Sequence, residues 1–468
     1  MPRVRHLTLD GRTLEGGGQL IRIAICLSAL TSTPLKIHDI RGNRGGGGGL
    51  KAQHLASVNW LAEACNAHVE GAEKGSTELV FEPGQGGGKQ VAGIPSVFTK
   101  KTLPGGGKVL EARLDIGTAG STGLALQAIL PFILFTRLPG DERLPVHLTL
   151  SGGTNVSGSP SYEYITQVLL PVLKAVGLPE MKAVPHKRGW SQGGTSIGSL
   201  TLEIPARKDV ALAAFTVAPP GPPAERPVRR PKHMTATFIA PTSCHAHLKE
   251  VFVTRARDLF ATKSDFATDD ERLPIAIRCA ESGHEKRLYL IAVLTVPTTS
   301  TTSDSNGLLV PTETTLARDW LYDKKLNLKS GKTQALNEAA ERIAECVLTG
   351  LYQEWSSGAF VDEHLRDQLV IFQALAKGRS RVYPGRRDET VSGGDGSVRA
   401  LREPSLHTQT AEWVVNEMLG ANFDGNGGCE GVGFDGSETS DWIRKVKEKK
   451  RAKDQENLSR RSDGVDLT

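Results

Sequence analysis

One order of elements is written twice into the first 204 residues of this chain, and that recurrence limits its fold more than any other feature. Residues 6–10 (His-Leu-Thr-Leu-Asp) alternate as a short strand does and run into Glu15-Gly-Gly-Gly-Gln19. An almost wholly apolar helix pattern follows from Gln19 to Leu30, then a strand pattern at Pro34–Ile40 and a second glycine turn at Arg41–Gly49. A helix from about Lys51 to Cys65 and hairpin strands around Val69 and Thr77–Phe81 close the unit. The second passage enters Gly117-Thr-Ala-Gly-Ser-Thr-Gly123 from a strand pattern over 110–117, and continues through a helix at Leu124–Phe135 and a strand at Pro145–Leu150. The turn Ser151–Asn155, a helix at Tyr162–Val176 and a strand pair ending at Gly198–Ile204 complete it.

A third, incomplete copy is expected from a helix at Asp362–Leu375, a strand near Ser380–Tyr383, a helix at His407–Leu419 and a short strand at Gly431–Phe434. The fold class read from this is α/β (α+β), with three β-α-β-α-β-β repeats. Residues 206–356 break the rhythm: a Pro/Arg stretch (Pro219–Lys232), a helix at 246–260, strands at 274–280 and 287–296, and a helix at 334–355 read as a smaller inserted α/β domain. The organisation is then 1–205 for the first two units, 206–356 for the insert, 357–440 for the third unit and 441–468 for a charged tail expected to be disordered. Within it, Lys445–Lys453 reads as a solvated tail or as a nuclear address.

Composition sets the class. With 38% hydrophobic and 23% charged residues over 468, the chain reads as soluble, folded and multi-domain. No apolar run approaches the roughly 20 residues of a spanning helix, so no membrane role is expected. Six cysteines without a Cys-x-x-Cys pair suggest neither a zinc site nor a disulfide framework. A net charge of +5 hints at an anionic partner without separating nucleic acid from nucleotide.

The chemistry concentrates between Glu15 and Leu55. Eight glycines in two runs let backbone approach a bulky ligand. Arg22, Arg41 and Arg44 offer the fork of donors that suits phosphate oxygens, and Glu15 beside them suits a shared divalent cation. Each glycine turn directly precedes a helix pattern, so free N–H groups and positive dipole ends point at one place, a polyphosphate site. No Gly-x-x-x-x-Gly-Lys-Ser/Thr motif or strand-linked Gly-x-Gly-x-x-Gly is present, which sets aside the common nucleotide folds. Farther on, His364, Asp367 and Gln368 fall along one helical face, either as part of a site or as an exposed polar helix start. His407, in Pro404-Ser-Leu-His-Thr-Gln-Thr410, stands at a strand-to-helix junction, where a histidine serves as a cap, a surface residue or a nucleophile on phosphorus.

Taken together, Glu15-Gly-Gly-Gly-Gln-Leu-Ile-Arg22, Arg41-x-x-Arg44, Gln53-His-Leu, Gly117-Thr-Ala-Gly-Ser-Thr-Gly, Ser151-Gly-Gly-Thr, His364-Leu-Arg-Asp-Gln-Leu and Ser405-Leu-His-Thr-Gln-Thr resemble the RNA 3′-terminal phosphate cyclase family. The resemblance covers residues of about 8–204 and 358–437, and is loose between them. It implies repeats like the C-terminal domain of translation initiation factor three. It also implies a reaction in which ATP converts an RNA 3′-phosphate end to a 2′,3′-cyclic phosphate, releasing AMP and pyrophosphate. By position in the motifs, His407 is the nucleophile that becomes adenylylated, and Glu15 is the metal-binding carboxylate for Mg2+ or Mn2+. Arg22, Arg41, Arg44, Gln53, His54 and Gln127 line the triphosphate or the RNA end, and Asp367 and Gln368 line the nucleotide pocket. His364 stands where a ring stacks on adenine, with Pro131 opposite. The expected partners are ATP and RNA with a 3′-phosphate end, with a homodimer and a nuclear location among the expectations. A departure is the run Gly45–Gly49, one residue longer than the turn of relatives, which predicts a looser loop and weaker nucleotide affinity. Two rivals differ in class: a non-catalytic ribosome-assembly branch, which lacks the nucleophilic histidine present here as His407, and an enolpyruvyl transferase, which lacks the Gln53-His54 and His407 motifs.

Overall fold

The computed structural model describes residues 5–45, 47–84, 94–136, 144–207, 211–218, 229–262, 273–298, 311–322, 332–391 and 398–436. The charged tail, residues 219–228 of the Pro/Arg stretch and Gly46 lie outside the described residues.

In the first sheet, strand β1 (Leu7–Asp10) leads through the glycine turn to helix α1 (Gly18–Thr31), which is buried from Gln19 to Ala29 because it is apolar on nearly every side. It stops at Ser32, in the left-handed region at φ 51°, and the chain returns as β2 (Leu35–His38). Helix α2 (Ala52–Ala64), β3 (His68–Glu70) and β4 (Leu79–Glu82) complete a sheet of order β1-β2-β4-β3.

The second sheet takes β5 (Phe98–Thr102), β6 (Lys108–Asp115), α3 (Thr122–Phe135), β7 (Val146–Gly152), α4 (Tyr162–Tyr164), α5 (Leu170–Ala175), β8 (Lys182–Lys187) and β9 (Gly198–Ile204), in the order β5-β6-β7-β9-β8. The helix expected over 162–176 forms, but residues Ile165–Leu169 between α4 and α5 are a wide π turn. Pro171 has no N–H to give the Gln167 carbonyl, and the helix opens over that turn. Strand β5 was not anticipated; one face carries only exposed Thr and Lys.

The third sheet opens with β10 (Thr216–Val217), a strand too short to show periodicity, in a stretch expected to belong to the insert. Its partners come later: α8 (Glu363–Leu375), β15 (Lys377–Val382), the hairpin β16 (Arg386–Val391) and β17 (Val398–Leu401), α9 (Leu406–Leu419), β18 (Asn422–Phe423) and β19 (Gly428–Val432). The order is β10-β15-β19-β18. The pairs β1–β2, β6–β7 and β10–β15 are parallel, and the pairs β2–β4, β7–β9 and β15–β19 are antiparallel.

Between β10 and α8 the chain forms a fourth sheet from β11 (His233–Ala240), β12 (Ile275–Glu281), β13 (Tyr289–Pro297) and β14 (Glu313–Leu321), in the order β12-β11-β13-β14, with α6 (His245–Thr262) and α7 (Lys332–Ser356). Strands β11 and β14 were not expected; in β14 the charged pair Arg318 and Asp319 interrupts the apolar alternation. This sheet is covered on both sides. Leu290, Ala292 and Leu294 of β13 join a core with α6 and α7, while Tyr289, Ile291 and Val293 join the main core. A strand buried on both faces must read as a continuous apolar run, and β13 does.

The centre of the molecule is helical. Helix α1 packs on α2, α3 and α9, and α8 packs on α9 and α3. Phe135 of α3 meets Phe372 of α8 and Phe434, with centroids 6.3 Å apart in both pairs. Phe135→Ala would leave a cavity in this junction and is expected to cost about 3–5 kcal/mol, read as a lower urea midpoint for unfolding.

Candidate active site

Five helices begin at one cleft. Helix α1 starts behind Gly17, α2 behind Lys51, α3 behind Ser121, α8 behind Asp362 and α9 behind Ser405. The cleft, of about 780 Å³, is lined from those first turns by Gly18, Gln19, Lys51, Gln53, His54, Leu124, Glu363, His364, Ser405 and His407. Each first turn holds N–H groups with no partner inside its helix, so positive ends gather around one space. Three caps are filled by side chains: Ser121, Asp362 and Ser405 accept from Leu124 N, Leu365 N and Thr408 N. The α1 end has only glycine, and any larger residue there would displace side chains of the site itself. A Cβ at Gly17 would overlap the Glu15 carboxylate, and one at Gly18 the His54 ring.

One end of the cleft is polar. Arg22, 6% exposed, donates through Nε to Gln127 Oε1 at 2.7 Å and through Nη2 to Gln19 Oε1 at 2.6 Å. Burial lowers its pKa to about 10, against the pull of Asp367. Arg41 and Arg44 line the same end, and burial lowers Arg41 as well. Glu15 lies between them and the last helix. Its Oε1 is ion-paired with Arg44, and its backbone N–H donates to Thr410 Oγ1 at 3.2 Å. Its Oε2 is buried, has no hydrogen-bond partner among the described residues, and faces His407 Nδ1 at 3.4 Å.

The histidines are neutral by environment. His54 accepts from Lys51 N at Nδ1 (3.2 Å), which leaves the proton on Nε2. Burial first, then Arg22, Arg41 and Lys51, lowers its pKa to about 3. His407, with its side chain 52% exposed at the mouth, is lowered by burial and by Arg22, Arg44 and His364. Asp367 goes the other way, pushed up to about 7 by burial in spite of Arg22, and accepts from Gln368 Nε2 at 3.2 Å.

The other part of the lining is apolar and aromatic, with Leu124, Val156, Pro160, Tyr164, Tyr289, Trp320 and Leu321 in one cleft with His364. Of the residues expected in the site, Glu15, Arg22, Arg41, Arg44, Gln53, His54, His364, Asp367, Gln368 and His407 line this one cleft. Gln127 reaches it through Arg22, and Gln53 Oε1 accepts from Ser121 N at 2.9 Å, joining α2 to α3. Pro131 is not part of the lining. It lies a helical turn beyond Gln127, buried inside α3, so the place opposite His364 expected for it is not where it sits. The proline of the lining is Pro160, in a turn of small residues that follows Ser151-Gly-Gly-Thr154. Tyr289, Asp319 and Trp320 were not anticipated, because only the packing of the β11–β14 sheet brings them here.

As a metal ligand, Glu15 Oε2 is the fitting atom: one hard carboxylate oxygen, unpartnered, at the charged end. Among the described residues Asp10, His38 and Asp39 also cluster, but there Arg12 already pairs with Asp10 at 2.8 Å and Asp39 at 3.5 Å.

The family model described as RNA 3′-terminal phosphate cyclase matches residues 13–424. The chain is 28% identical over 422 residues to the RNA 3′-terminal phosphate cyclase of Pyrococcus furiosus, covering 90% of this chain and 96% of that one. It is 30% identical to that of Desulfurococcus amylolyticus over 80% and 86% of the two chains. Identity to that of Methylococcus capsulatus is 31%, over 89% and 92%.

The charge around His54 has a direct spectroscopic consequence. Its ring resonance is expected to stay unprotonated from pH 8 down to about 4, and Arg22→Gln to raise its titration, as a pH series of imidazole NMR shifts would read.

Proposed function

Because the chain belongs to the RNA 3′-terminal phosphate cyclase family, we propose that it uses ATP to convert an RNA 3′-phosphate end into a 2′,3′-cyclic phosphate, releasing AMP and pyrophosphate. The observation that carries this reading is His407 at the mouth of an arginine-lined cleft, with Nδ1 turned to the buried oxygen of Glu15. With Nδ1 on the Glu15 side of the ring, Nε2 is the nitrogen left to attack, in the tautomer that carries its proton on Nδ1. Nε2 attacks the α-phosphorus of ATP; the N–P bond forms, the P–O bond to pyrophosphate breaks, and pyrophosphate leaves with the electron pair. An RNA 3′-phosphate oxygen then displaces the imidazole, forming an RNA-adenylate. The neighbouring 2′-hydroxyl, losing its proton, attacks the 3′-phosphorus and expels AMP. Three modest displacements replace one poor one.

The surroundings suit each step. Arg22, Arg41, Arg44 and the convergent helix ends offset charge on pyrophosphate as it leaves. Glu15 Oε2 with phosphate oxygens is the set of hard donors that Mg2+ or Mn2+ takes, and such an ion neutralises triphosphate charge. The apolar end accepts the base, with Asp367 and Gln368 beside it for the base edge. In this reading the three sheets are copies of one β-α-β-α-β-β unit, like the C-terminal domain of translation initiation factor three. The third copy starts at β10, so the β11–β14 sheet with α6 and α7 is an insert within it.

Incubation with α-labelled ATP and a divalent cation tests the first step. Wild type should take up an acid-labile, alkali-stable label, and His407→Ala should take up none; a folded, ATP-binding wild type that stays unlabelled would falsify the reading. The pH profile gives a second outcome. Because burial and nearby arginines lower the His407 pKa, the labelling rate should fall only below the ordinary histidine range near 6.5. Arg44→Ala removes one of those cations, so its acid limb should move to higher pH.

A further inference from the structure

His364, in the lining of the cleft, is held by a residue that lies outside that lining and outside every motif in the sequence. Arg318 of β14 donates from Nη1 to His364 Nε2 at 2.9 Å. Arginine has donors only, so this ring nitrogen accepts and the His364 proton sits on Nδ1. Arg318 is itself held. Its Nη2 is ion-paired with Glu354 of α7, a carboxylate with no exposed surface, and lies 3.3 Å from Glu363. Glu354 also accepts from Glu363 N at 3.2 Å and from Arg402 Nη1 at 2.5 Å, three residues before the Ser405 cap of α9.

The helix behind Arg318 is shaped for it. A Cβ at Gly350, about two turns before the end of α7, would lie 3.2 Å from Arg318 Cγ and 3.3 Å from Cδ and Nε. Glycine inside a helix is less stable than alanine, and here it leaves a slot in the helix surface. What it seats is the arginine stem.

We propose that Arg318 is a positioning residue for the nucleobase: it fixes the ring of His364 as one wall of the apolar end, so that the β11–β14 sheet takes part in choosing the nucleotide. This rests on the reading of the cleft as an ATP site. Arg318 touches neither phosphate nor nucleophile; it acts on the base through His364. The groups that face His364 are Arg318 and Asp319 of β14, Glu363 beside it, Glu354 of α7 and His407 of α9. Of these, only Arg318 is in hydrogen-bond contact with the ring among the described residues.

Two ligands separate the base from the phosphates. Binding of ATP and of inorganic tripolyphosphate is measured calorimetrically with full-length wild type, Arg318→Ala, Arg318→Lys, His364→Ala and the Arg318→Ala/His364→Ala pair. Losing one charged hydrogen bond should weaken ATP binding by about tenfold in Arg318→Ala while leaving tripolyphosphate within about twofold. Lysine should restore part of the loss, and the double variant should lose no more than His364→Ala alone. Equal weakening for both ligands would mark Arg318 as merely structural and overturn the proposal, as would unchanged ATP binding in Arg318→Ala. A wild type that binds tripolyphosphate and ATP equally well would instead overturn the nucleotide reading beneath it.

Discussion

Charge gathered into one cleft is the constraint on which this structure turns. Arg22, Arg41, Arg44, Lys51 and five helix starts share that cleft with the carboxylates of Glu15, Asp319, Glu363 and Asp367, and of the four cations only Arg22 is buried. Asp367 answers only in part, since burial raises it to about 7. Glu15 answers Arg44 with one oxygen and keeps the other for His407. Such an arrangement costs stability through desolvation and like-charge repulsion, and an incoming anion relieves it. The neutral state of His54 and the lowered pKa of His407 follow first from burial and then from the cations beside them.

The surrounding fold can carry that cost because its core is continuous. Helices attached to three sheets meet in one cluster, and the fourth sheet adds its own core on one face while sealing the main core with the other. Asp362 shows how closely the parts are tied. Its Oδ1 accepts from Tyr164 OH at 2.6 Å and Leu365 N at 2.9 Å, and its Oδ2 accepts from Ala317 N at 3.1 Å. One carboxylate thus caps α8 while touching the second sheet's helix and strand β14.

Much of the site was legible in the sequence where chemistry and helix starts coincide. Glu15, Arg22, Gln53 and His54 sit within a turn or two of glycine runs, and their convergence follows from strand-turn-helix order. His364, Asp367 and Gln368 share a helix face, and that face is the one turned to the cleft. Pro131 was misplaced because distance along α3 does not say how deep a residue lies, whereas Pro160 was in a turn of unremarkable composition. Arg318, Tyr289 and Trp320 could not be read at all: their roles come from contacts across 30 to more than 100 residues of chain, made by packing alone. Strand β10 escaped for another reason, since two residues carry no period.

Glu15 and Thr410 are separated by 395 positions and are joined by a hydrogen bond, and His407 stands beside the same carboxylate. On the ribosome, therefore, a growing chain carries its arginines and glycine turns long before it has His407 to set among them. Folding of the first two sheets can proceed early, but the cleft acquires the corner beside Glu15 only when α9, about 400 residues further on, has emerged. The order of synthesis alone leaves the cleft open on one side until that helix is made.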